Sequence, residues 1–238
     1  MIISRSLTVA LALSALLGGE AYADFVTFSN PTDEYTGSTT KIPITQPFGT
    51  VLDSITDGTL TVAFSGPTTV TQVGPGIFGW GNPPTVEEIA PPVLFSQFQL
   101  TRELTFSSAL STFGVEMESN NPTFPFTNPT FRLTAVFYNG DVEVGTIARN
   151  LVAPGGARLF AATTTTDVFT RVVLSASARS GGFEFGQVRY SLAAVPEPSS
   201  LALFGAASMA GLGVWAVRTK GPAIRQAVRG RLPAGLGI

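Results

Sequence analysis

A chain of 238 residues without a histidine or a cysteine lacks the usual general base, the Ser-His-Asp triad, the thiol nucleophile and the commonest zinc ligands. Carboxylates are what remains for acid–base work. Glu116 and Glu118 stand two apart in the run Phe113 to Glu118, which reads as a strand, so both point to one face. Two carboxyls about 5 Å apart are what a retaining glycosidase uses; the plainer expectation is a solvated strand face. Phe78 and Trp80 lie in the Gly- and Pro-flanked loop Ile77 to Asn82, where an exposed ring would stack on a sugar. The plainer expectation there is a pair of rings folded back onto the core. Asp141 and Glu143, next to Asn139, offer oxygen ligands to a hard cation such as Ca²⁺, yet turn chemistry already accounts for Asn139 and Asp141. The residues therefore point to no catalytic site, no metal and no cofactor.

The elements that must position these side chains are strands. Thr, Ser, Gly, Phe and Val dominate the middle of the chain, and helical periodicity is missing there. Strand signals fall at Asp24 to Ser29, Thr59 to Ser65, Val93 to Leu100, Thr105 to Ser107, Phe113 to Glu118, Phe131 to Tyr138, Val142 to Ala148, Arg158 to Thr163, Arg171 to Ala176 and Phe183 to Leu192. Asn139-Gly140 between two of them predicts a hairpin with a type I′ turn. Thr36 to Pro47 and Gly74 to Pro92 read as long loops. Short strands at a spacing of about 8–12 residues predict an all-β fold, an antiparallel jelly-roll-like β-sandwich, over residues 24–194. That stretch carries eight basic residues against fourteen acidic ones, a net charge of 8 − 14 = −6, which does not suit a nucleic-acid partner.

Both ends of the chain speak of export. Arg5, the apolar stretch Leu7 to Leu17 and Ala21-Tyr22-Ala23 form the three parts of a secretory signal peptide over residues 1–23, with Ala21 and Ala23 placing cleavage before Asp24. Near the other end, Pro196 and Pro198 fix φ and hold Val195 to Pro198 extended. Ser199 and Ser200 then cap an apolar run to Val217, about 19 residues and roughly 28 Å as a helix, close to the ~30 Å hydrocarbon core. Arg218, Lys220, Arg225, Arg229 and Arg231 follow it, so the positive-inside rule leaves residues 221–238 as a cytoplasmic tail and the bulk of the chain outside. A single C-terminal transmembrane helix is expected.

Pro196-Glu197-Pro198, the small-residue-rich span and the basic stop of Arg218 and Lys220, in that order, resemble the PEP-CTERM sorting signal of Gram-negative bacteria. The resemblance covers residues 195–220 and implies sorting by an exosortase-type processing enzyme, attachment to the membrane through the C-terminal helix, a destination at the cell surface or in the extracellular matrix, and association with exopolysaccharide. An unprocessed C-terminal anchor is the alternative. Phe113 to Leu192 is also similar to the β-sandwich domains of anchored bacterial surface proteins, many of them carbohydrate-binding jelly rolls; an acidic residue near their metal site is replaced here by Gly186-Gln187. Glu116 and Glu118 resemble the paired acids of laminarinase-type enzymes, with Ser119-Asn120-Asn121 where a third acid is expected. The function these features imply is an exported, non-catalytic surface protein. A carbohydrate-binding module around Trp80 is the first alternative and a glycoside hydrolase using Glu116 and Glu118 the second.

Overall fold

The computed structural model describes residues 24–72, 80–120, 130–152, 156–178 and 180–194. The signal peptide with Ala21 and Ala23, Phe78, the motif Pro196-Glu197-Pro198, the apolar run to Val217, the stop residues Arg218 and Lys220 and the tail lie outside them. Among the described residues no helix is long and apolar enough to cross a membrane.

The described residues are all-β, as the composition predicts. Eleven strands run β1 (Val26–Phe28), β2 (Thr40–Lys41), β3 (Val51–Thr56), β4 (Thr61–Gln72), β5 (Pro92–Phe95), β6 (Thr101–Ser119), β7 (Thr130–Asn139), β8 (Val142–Val152), β9 (Arg158–Thr163), β10 (Phe169–Ala176) and β11 (Phe183–Leu192), with one short helix, α1 (Asp33–Ser38), between β1 and β2. Every ladder is antiparallel. Six strands, β1 and β7 to β11, stand where the sequence places them or within a few residues; β4 runs on to Gln72, past the expected Ser65, and β5 stops at Phe95, short of the expected Leu100, because the chain turns at Ser96 to Gln99. Thr105 to Ser107 and Phe113 to Glu118, expected as separate strands, are parts of the one 19-residue strand β6. The stretch expected as a loop from Thr36 to Pro47 holds the end of α1 and all of β2, and β3 was not foreseen. Thr32 caps α1 by accepting from the Tyr35 amide, and Asp33 and Glu34 occupy the first turn, where the helix dipole favours acids.

β6 organises the molecule. Its first half pairs with β4 and β10, its second half with β11 and β9. β4 divides in the same way, between β6 near its start and β5 near its end. The single eleven-stranded sheet of the described residues thus folds over on two long strands around one core. Along β6 the core-facing positions are Leu104, Phe106 and Leu110, and then Phe113, Val115 and Met117. Strand side chains alternate in direction, so the change from even to odd numbers means that the strand turns over between Leu110 and Phe113, where the ladder to β11 shifts register between Ser191 and Leu192. Aromatic contacts join its strands through the core: Phe64 meets Phe185 at 5.8 Å between ring centroids, Phe106 meets Phe113 at 4.7 Å, and Phe113 meets Phe137 at 6.5 Å. Each such ring contributes on the order of 1.5–3 kcal/mol by leaving water.

The expected hairpin joins β7 to β8, with its turn one residue further on. Asn139 pairs with Val142, so the loop is Gly140-Asp141, and of these only Gly140 has positive φ, at 56°. A glycine at the first central position is the pattern of a type II′ turn and replaces the I′ turn expected over Asn139-Gly140. A Cβ built on Gly140 meets nothing within 4 Å, so Gly140→Val adds backbone strain and no clash. It is expected to cost about 1–3 kcal/mol in a thermal melt; an unchanged melt contradicts the left-handed assignment.

Candidate functional site: the buried carboxylate face

Because β6 turns over, Gly114, Glu116 and Glu118 point away from the main core, towards α1 and the segment from Trp80 to Pro91. Two smaller apolar clusters cover that face: Tyr35, Leu159 and Ala161, and Trp80, Val86, Val93 and Ala157. Gly114 is the floor under Tyr35, and a methyl group there would overlap the tyrosine hydroxyl and Ala161. The expected solvated strand face is therefore incorrect, since Glu116 is fully buried and Glu118 is 5% exposed. A strand read alone gives alternation but not what packs on its second face.

Glu116 is a clamp. One carboxylate oxygen accepts from the Trp80 indole N–H at 2.7 Å, the other from the Glu87 amide at 2.6 Å. Both oxygens thus hold the covering segment to the sheet. The Trp80 carbonyl in turn accepts from the Ala157 amide, ahead of β9. Trp80 has no exposed surface, so its ring cannot stack on a sugar and the expected glycan contact at this residue is corrected; the plainer expectation of a core ring holds for it.

Next to the clamp stands an ion-pair network that sequence spacing did not single out. Arg189 donates from Nε and Nη2 to the two oxygens of Glu87, at 2.7 and 2.9 Å, and from Nη1 to the carbonyls of Thr36 and Thr39, both at 3.1 Å. Lys41 reaches Glu87 at 3.3 Å and also pairs with Glu88. One guanidinium on β11 thereby joins the covering segment to the end of α1. The partners lie 102 and about 150 positions apart in the chain, which no local motif records.

The electrostatics divide along the face. Burial pulls the Glu87 carboxyl upward, but hydrogen bonding from Arg189 and the charge of Lys41 outweigh it and hold the group below the ordinary glutamate range. Burial raises Glu116 to about 7, against the opposing hydrogen bonds of Trp80 and Glu87. Burial, joined by the charge of Glu184 opposite it, raises Glu118 to about 8, and burial raises Glu184 to about 7. Among the described residues, one oxygen of Glu118 has no hydrogen-bond partner.

The third candidate group disperses. Asn139 donates to Asp167 at 2.7 Å, Asp141 is fully exposed with Arg171 3.8 Å away, and Glu143 accepts from Thr146 at 2.6 Å. Among the described residues no three His, Cys, Asp or Glu side chains converge on a metal position.

Two expectations follow for this face. Trp80→Ala removes a buried ring and a donor to a buried carboxylate, and should cost about 3–5 kcal/mol in denaturant melts; a loss under about 1 kcal/mol contradicts the clamp. The raised carboxyls fix the direction of the pH dependence. A group that holds its proton more tightly when folded stabilises fully below its unfolded pKa, and that stability is lost as pH rises through the folded value. Stability should fall between about pH 5 and pH 8 through Glu116, Glu118 and Glu184. Glu118→Gln should flatten the upper part of that fall, and a parent protein whose stability does not change over this range contradicts the burial of ionisable carboxyls.

The strand-bearing unit closes at Ala193, one residue beyond β11. No curated protein matches the chain. The family model of the PEP-CTERM protein-sorting motif does match, over residues 194–218. The match spans Pro196-Glu197-Pro198, the apolar run and Arg218, the features that carried the resemblance in the sequence. It begins where the β unit ends. Residues 194–218 are a PEP-CTERM protein-sorting motif, and the chain carries the signal of an exosortase substrate.

Proposed function

We propose that the chain is an exported, non-catalytic surface or extracellular-matrix protein. In this reading the signal peptide of residues 1–23 is cleaved before Asp24, residues 24–194 form a jelly-roll-like sandwich outside the cytoplasmic membrane, and residues 199–217 hold it there as a single transmembrane helix. An exosortase-type enzyme processes the motif, with Arg218 and Lys220 as the cytoplasmic stop, and the product associates with exopolysaccharide. The observation that carries the reading is the sorting motif at residues 194–218, immediately after the last strand. A fold complete before the motif starts loses nothing when the chain is cut within the motif.

A non-catalytic role is supported by the state of Glu116 and Glu118. A retaining glycosidase needs two carboxyls open to a sugar on either side of a cleft, whereas Glu116 spends both oxygens on Trp80 and Glu87 beneath a covering segment. The proposal is tested in the cell that makes the protein. Replacing Pro196-Glu197-Pro198 with alanines lets the neck join the following helix and should leave the full-length chain in the membrane. Release or maturation at the parental rate favours a plain anchor instead.

A further inference from the structure

On the same outer face of the sheet as Glu118, where Thr69 pairs with Phe95, Phe95 with Glu184 and Glu184 with Glu118, two turns display phenylalanines on either side of one strand. In the first, Pro47-Phe48-Gly49-Thr50, the Thr50 amide donates to the Pro47 carbonyl at 3.1 Å and Gly49 takes φ 85°, the type II pattern. The Gly49 amide ties it to the Val70 carbonyl of β4 at 2.8 Å. The second turn is Ser96-Gln97-Phe98-Gln99, closed by the Gln99 amide on the Ser96 carbonyl at 3.1 Å. Gln97 and Phe98 have φ of 51° and 64°, so both central positions are left-handed. That is the I′ geometry, which favours Asn-Gly and penalises a glutamine and an aromatic.

The strained turn is held from below. Ser96 is fully buried; its hydroxyl donates to the Gln99 carbonyl at 2.8 Å and accepts from the Phe183 amide at 3.0 Å. The buried Arg102 donates to the carbonyls of Ser96 and Pro67, at 2.8 and 3.0 Å. These anchors fix a conformation that the local sequence disfavours, and its product is a ring 70% exposed at Phe98, facing a cleft whose other wall carries Phe48 at 57%. Strain that surrounding structure over-determines is a pointer to function.

The cleft has a volume of about 510 Å³, and Thr69, Thr71, Phe95 and Gln97 line it between the two exposed rings. Gln97 is steadied by its amide donating to the Thr69 hydroxyl at 2.7 Å, and Phe95 backs Phe98 edge-on at 5.0 Å. Flat apolar faces with hydroxyl and amide groups between them match the alternating C–H faces and hydroxyls of a sugar. Among the described residues no charged one lines the cleft, which suits an uncharged polymer and offers nothing to neutralise a uronate or sulfate.

We infer that the cleft between Phe48 and Phe98 binds a neutral polysaccharide, its sugar rings stacking on the two phenylalanines and its hydroxyls meeting Gln97, Thr69 and Thr71. This rests on the exopolysaccharide association proposed above and gives it a site, one that replaces the loop around Trp80. The full chain, in nanodiscs, is passed over immobilised neutral and anionic fractions of the polysaccharide from the surface of the organism that makes it. The parent should bind the neutral fraction saturably. Phe48→Ala with Phe98→Ala should weaken that binding at least tenfold with the melting temperature held, and Gln97→Asn with Phe98→Gly should raise the melting temperature while weakening binding, since the turn then carries the residues its geometry favours. Neutral-fraction binding that the variants retain overturns this site and leaves the association standing. Binding to the anionic fraction alone overturns the ligand chemistry, and binding to neither overturns both the site and the association.

Discussion

Everything distinctive in this molecule depends on the turning over of β6. A 19-residue strand that kept one face on the core throughout would turn Glu116 and Glu118 inward with Leu104, Phe106 and Leu110; by exchanging faces between Leu110 and Phe113 it puts Phe113, Val115 and Met117 there instead, and its second half presents Gly114, Glu116 and Glu118 to the outside. An outer face carrying a glycine and two acids is a poor surface to leave next to apolar Leu159 and Ala161. α1 and the segment from Trp80 to Pro91 cover it, and the cost of burying Glu116 is reduced by the two hydrogen bonds it receives. The same exchange lets Phe106 and Phe113, seven positions apart, touch inside one core.

Two kinds of polar interior result. Glu87 and Arg189 form a forked charge pair extended to two backbone carbonyls, a satisfied network that fixes where α1 ends. Glu116, Glu118 and Glu184 are acids whose burial favours the proton, and they make stability a function of pH without requiring a reaction. Perturbed carboxyls often mark catalytic sites. Here the geometry around Glu116 accounts for the perturbation structurally, through a covering segment that needs a buried acceptor.

Legibility in the sequence followed the range of the interactions. β9 and β11 carry the bounds that alternation and flanking glycines predict, and the β7–β8 hairpin is announced by Gly140, because these signals are local. The turn type slipped by one residue, since Asn-Gly satisfies I′ geometry but Asn139 is held in the ladder opposite Val142. β2 and β3 escaped because two residues, or six with only Ile55 fully buried, leave no clear alternation. The burial of Glu116 depends on Trp80, 36 positions away, and nothing in the run Phe113 to Ser119 reveals it. The aromatic display moved from Trp80 to Phe48 and Phe98 for a similar reason: the turns that carry these rings are held by groups distant in the chain, the Phe183 amide on Ser96 and the Val70 carbonyl on Gly49.

In contrast to the fold, the sorting signal is wholly local, and sequence and family match agree on it. The account therefore stands most directly on the ends of the mature protein. Mass analysis of the protein recovered from the cell surface, intact and as terminal peptides, should give an N-terminus at Asp24 and a C-terminus within residues 194–218, with the tail after Lys220 missing. A surface protein that retains both Met1 and Ile238 would contradict it.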